Sequence, residues 1–104
     1  MREVDLEDFA AAHARDAVVI DVREPYEYFA GHVAGARPVP LDRLPAVVGE
    51  LPKGAPVYVI CASGNRSLAA VRFLRRAGVD AYSVAGGTGG WARSGRPVVR
   101  GVAA

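Results

Sequence analysis

The chain has 104 residues, of which 51% are hydrophobic and 23% charged, and its net charge is +2. That length holds one hydrophobic core and not two, so a single domain over residues 1–104 is expected, and the composition excludes an intrinsically disordered chain. No apolar stretch approaches the ~20 residues of a membrane span, and "MREVDLEDFA" lacks the apolar core of a secretory leader, so the expectation is a cytoplasmic protein with no membrane partner.

"DLEDFAAAH" (5–13) opens the chain as a helix, with Asp5 as its N-cap and acids in the first turn, where the helix dipole favours them. "AVVIDV" (17–22) is a β-branched run that reads as a strand buried on both faces. "EPYEYFAGH" suits a short helix, with Pro25 in its first turn and Gly31 at its end, and "ARPVPL" (36–41) is held extended by its prolines. "LDRLPAVVGEL" predicts a helix interrupted or restarted at Pro45, followed by the turn "PKGAP" (52–56). "VYVIC" (57–61) is a second buried strand, and "RSLAAVRFLRRAG" (66–78) a helix with Leu68, Val71 and Leu74 at helical spacing and Gly78 as its stop. "AYSVAGG" (81–87) predicts a strand running into a glycine-rich turn, and "GGWARSG" a short closing helix in which Trp91 is a core or rim aromatic. Strands alternating with helices argue for an α/β fold, a mostly parallel central sheet with helices on both faces.

The charge is unevenly spread. Residues 1–50 carry ten acids and five bases, whereas residues 51–104 carry one acid, Asp80, and eight bases. A basic half can raise the encounter rate with a small anion. The arginines are not interleaved with stacking aromatics, so no nucleic-acid partner is expected. Cys61 is the only cysteine, which excludes an internal disulfide, and with only His13 and His32 beside it no metal spacing is present and no cofactor is called for.

"CASGNRS" (61–67) places that one thiol where a buried strand turns into a helix. Ligands of open parallel sheets bind at such strand ends. Ala62, Ser63 and Gly64 are small, and Gly64 allows a positive φ, so the chain can curl with successive N–H groups pointing into one concavity. The helix beginning near Arg66 aims its positive end there too, so the expectation is an anion cradle floored by an accessible thiol of lowered pKa.

"CASGNRS" resembles the active-site loop of the rhodanese family of sulfurtransferases. "DVREPYEYFAGHVAGARPVPL" (21–41) is similar to that family's first-half signature, and "VAGGTGGWARSGRPV" (84–98) to its C-terminal one. The resemblance implies a rhodanese-like fold and a two-step reaction through a persulfide on Cys61. The sulfur would come from a small donor such as thiosulfate and pass to cyanide or to a thiol, free or on a protein. Ala62, Ser63, Gly64, Asn65, Arg66 and Ser67 would then form the substrate-binding loop, with Arg66 either binding the donor's oxyanion end or turning back to support the loop. Asp21, Arg23 and His32 match family positions and are expected to be supporting residues.

A cysteine-dependent phosphatase or arsenate reductase also attacks oxyanions from a loop before a helix, but its pattern C-x-x-x-x-x-R needs five intervening residues and Arg66 follows after four. A sulfur-carrier or binding module for a protein partner is the other alternative. "GTGGWA" (87–92) fits a dinucleotide fingerprint, yet no acid follows Asp80 to bind a ribose, so its glycines are read as a tight turn beside the Cys61 loop.

Overall fold

A computed structural model describes residues 2–102. Its strands are β1 (Glu3–Val4), β2 (Val18–Asp21), β3 (Arg37–Pro38), β4 (Val57–Ile60) and β5 (Ala81–Val84). They form one sheet in the order β1-β5-β4-β2-β3, and every pair is parallel. The helices are α1 (Leu6–Ala14), α2 (Pro25–Ala30), α3 (Leu44–Val47), α4 (Asn65–Arg76) and α5 (Gly87–Arg93).

Alternation along the strands sorts side chains to two cores. Ile20, Val22, Val57, Val59, Cys61 and Ala81 pack against Ala70, Val71 and Leu74 of α4 and against Leu44 and Leu51. Val19, Ile60 and Val84 face the other way, onto Phe9, Tyr28 and Trp91. Both faces of the sheet are therefore covered, as the unbroken apolar runs of β2 and β4 require.

Asp5 caps α1 by accepting the Asp8 N–H at 2.8 Å, and Pro25 opens α2. α4 ends at Arg76, with Gly78 at φ +88° turning the chain toward β5. The segment expected as one interrupted helix is three short pieces, with 3-10 turns at Leu41–Arg43 and Val48–Glu50 flanking α3. Pro45 has no N–H to donate to the preceding turn, and Gly49 lowers helix propensity just beyond it. Only Arg37–Pro38 of the extended stretch 36–41 pairs as regular strand, and beyond it the Val39 and Leu41 N–H groups still donate to the carbonyls of Asp21 at 2.9 Å and Val22 at 3.1 Å, while Pro38 and Pro40 alternate with them.

Two pairings had no local signal in the sequence. β1 is a two-residue strand that lies beside β5, and the C-terminal segment returns to bridge Val99 antiparallel to His32 through two backbone bonds of 2.9 Å. No helix among the described residues is long and apolar enough to cross a membrane.

Candidate active site

β4 ends at Ile60 and α4 begins at Asn65, so residues 61–64 have to reverse the chain at the carboxyl edge of the sheet. Gly64 makes this reversal at φ +114°, which a side chain would strain. The turn brings the Gly64 N–H to 3.0 Å from Cys61 Sγ. The N–H groups of Ser63 and Ser67 also point at the sulfur, and Ser67 Oγ stands 3.4 Å from it. Ser67 belongs to the first turn of α4, where N–H groups have no earlier helical carbonyl to meet and are available to an anion.

These contacts set the state of the thiol. Burial pushes its pKa up, but the Ser67 hydroxyl and the N–H groups of Ser67, Gly64 and Ser63 outweigh burial, and the pKa is lowered. The expected accessibility of the thiol is corrected, because Cys61 is only 1% exposed. The sulfur packs into the core formed by β2, β4 and α4, while Ala62 beside it is half-buried and Ser63 and Asn65 are exposed.

The glycine-rich turn after β5 forms the loop's second wall. The Thr88 and Gly89 N–H groups, at the start of α5, donate to the carbonyls of Cys61 at 2.7 Å and Ala62 at 3.0 Å. Gly87 sits at φ +58°, and a Cβ there would meet the Cys61 carbonyl oxygen at 2.5 Å and that of Ala62 at 2.6 Å. The dinucleotide-like spacing of "GTGGWA" thus serves close approach of two backbones, and the N–H groups a phosphate would need are spent on protein carbonyls.

Arg66 turns back from the loop. Its guanidinium forms a two-pronged pair with Glu27 on α2, at 2.7 and 2.9 Å. Glu27 also accepts the Glu24 N–H at 2.9 Å, so one carboxylate anchors both the start of α2 and the start of α4. The Arg66 hydrogen bonds hold its pKa at about 2, from an ordinary 4.5, although partial burial opposes them. Sequence reasoning missed Glu27: it lies 39 residues from Arg66, and no local pattern marks it as a partner.

Asp21 and Arg23 form a buried pair below. Arg23 donates to both Asp21 oxygens, at 2.9 and 2.8 Å for its closest approaches, and to the Gly31 carbonyl at 2.8 Å, joining the end of β2 to the end of α2. His32 is fully buried, with Nδ1 2.8 Å from the Tyr28 carbonyl and its ring stacked on Tyr28 at 3.6 Å. Trp91 lies in the core beneath α1, edge-on to Phe9 at 5.3 Å, and donates its indole N–H to Pro97. A groove of about 850 Å³ lies along α2 and β3, lined by Tyr26, Phe29 and Pro40 among others, and none of its lining residues belongs to the Cys61 loop.

A parallel sheet of this order with a cysteine loop at the β4–α4 edge defines a recognisable class of α/β domain. The chain belongs to the rhodanese-like domain family, whose model matches residues 5–94. It is 39% identical over 92 residues to protein YqhL of Bacillus subtilis (strain 168), covering 88% of this chain and 72% of that one. It is 32% identical over 102 residues to a protein of Allochromatium vinosum named sulfurtransferase, covering 95% of each. The crystal structure of a rhodanese-related protein from Thermoplasma volcanium superposes with a TM-score of 0.88 at 36% identity, covering 95% of this chain and 98% of that one.

Proposed function

We propose that the protein is a sulfurtransferase that carries sulfane sulfur on Cys61. The observation that carries this reading is the set of three N–H groups and one hydroxyl converging on a single buried sulfur, which favours thiolate over thiol. Family membership and the relative named sulfurtransferase support it. In the first half-reaction the Cys61 thiolate attacks the outer sulfur of thiosulfate, the S–S bond of the donor breaks, and its electron pair leaves with sulfite. Charge is conserved, because a thiolate and a dianion become a persulfide anion and a dianion. In the second, cyanide or an acceptor thiolate attacks the terminal sulfur and leaves as thiocyanate or as its own persulfide, restoring the Cys61 thiolate. No leaving group needs a proton, so neither His13 nor His32 is required as an acid.

The loop N–H groups stabilise the thiolate before attack and the persulfide after it, as donors fixed in place by the fold. Because Cys61 is buried, the donor is a small anion, and the acceptor reaches the terminal sulfur of the persulfide, one atom farther out. A carrier role toward a protein thiol uses the same persulfide. Phosphoester or arsenate chemistry is less well supported: it calls for an arginine aimed at the loop centre, and Arg66, the loop's only arginine, is held on Glu27.

Steady-state kinetics test the proposal. With thiosulfate and cyanide both varied, thiocyanate formation should give parallel double-reciprocal lines, the mark of a covalent enzyme intermediate. Intersecting lines, or no thiocyanate above the Cys61→Ala background with any sulfane donor, would refute it.

A further inference from the structure

β5 carries a serine where an apolar strand would be expected. Ala81 and Ser83 lie on the sheet face that meets α4, and Ser83 is in register with Val59 of β4, two residues before Cys61. Ser83 is fully buried, and its hydroxyl oxygen stands 2.7 Å from Ser67 Oγ. Ser67 Oγ in turn lies 3.1 Å from the Gly64 carbonyl and 3.4 Å from Cys61 Sγ.

Counting protons fixes the direction of this chain. A hydroxyl has one proton to give and two lone pairs to receive. Ser67 Oγ is the one hydrogen-bond partner of the Ser83 hydroxyl among the described residues, so Ser83 donates and Ser67 accepts. Ser67's own proton is thereby kept off Ser83 and is left to the Gly64 carbonyl or to Cys61. While Cys61 is a thiol, its S–H points at Ser67 Oγ and the Ser67 proton rests on Gly64. When the thiol proton is lost to solvent, the sulfur becomes the stronger acceptor and the Ser67 proton turns to it. We propose that Ser83 is a positioning residue, whose buried hydroxyl fixes Ser67 as a donor toward the Cys61 thiolate and polarises it for that role.

The inference rests on Cys61 being the reactive thiolate of the proposed function, but its test needs no sulfur donor. The charged groups facing the loop are Arg66 of α4 and Glu27 of α2, closed on each other, and Arg93 of α5, which lies beside Gly89. β2 ends next to it with Asp21, closed on Arg23. None of these is altered by removing a serine hydroxyl.

With a single cysteine in the chain, thiolate absorbance near ~240 nm can be titrated against pH, with Cys61→Ala as the blank. Ser83→Ala should raise the Cys61 pKa by roughly half a unit, which is about a threefold loss of thiolate at pH values below it. Ser83→Thr, which keeps the hydroxyl, should titrate like the parent protein. In a Ser67→Ala background, Ser83→Ala should have no further effect, since the residue it acts through is gone. An unshifted pKa in Ser83→Ala, the same shift with Ser67 absent, or a Ser83→Thr shift as large as that of Ser83→Ala would overturn the proposal. A protein that titrates as expected yet never accepts sulfur would cost the proposed function and leave this inference standing.

Discussion

Burial alone would keep Cys61 protonated; what reverses the balance is a turn that brings three N–H groups and the Ser67 hydroxyl to one sulfur. The rate of Cys61 alkylation by a small uncharged reagent should therefore rise to its plateau at a pH below that of an ordinary thiol, and Ser67→Ala should move the inflection upward. Gly87 matters for a different reason, because its space is filled by the carbonyls of Cys61 and Ala62. Gly87→Ala forces those backbones apart and should destabilise the fold by about 3 kcal/mol, read by thermal or denaturant unfolding. Gly95, at φ +87° with open space around its Cβ position, should cost only about 1 kcal/mol on the same change.

At the scale of elements, two ion pairs hold α2 in place, and they differ in burial. Asp21–Arg23 is enclosed, so Asp21→Asn leaves a buried guanidinium without its counter-charge and should cost about 3–5 kcal/mol of unfolding free energy. Glu27–Arg66 is partly exposed, and solvent screening limits Glu27→Gln to about 1 kcal/mol. The sign of its pH dependence follows from the depressed Glu27 pKa. The folded protein binds the Glu27 proton less readily than the unfolded chain, so this stability is fully present above pH 4.5 and is lost as pH falls from 4.5 toward about 2. In Glu27→Gln, acid unfolding between those values should be shallower than in the parent. If the two proteins lose stability in parallel through that window, the pair contributes nothing.

Across the whole molecule, the elements with strong local signals were legible in the sequence. Asp5, the β-branched runs of β2 and β4, and Gly78 each state their structure within a few residues, and so does the junction that places Cys61 between strand and helix. What was not legible depends on contacts between distant segments. β1 is too short to show a period, Glu27 meets Arg66 only because α2 packs beside the loop, and the burial of Cys61 follows from the core it packs into. Ser83 did leave a trace, a polar residue in the buried strand "AYSV", but its meaning needed the register that sets it beside Val59.

Intact-mass spectrometry of the purified protein, before and after thiosulfate and again after cyanide, tests the sulfur-carrying role of Cys61 most directly. The expected result is a gain of one sulfur, about 32 Da, that appears with the donor, disappears with the acceptor and is absent from Cys61→Ala. A mass that stays unchanged with thiosulfate and with other sulfane donors, while Cys61 still titrates and alkylates as a thiolate, would contradict it.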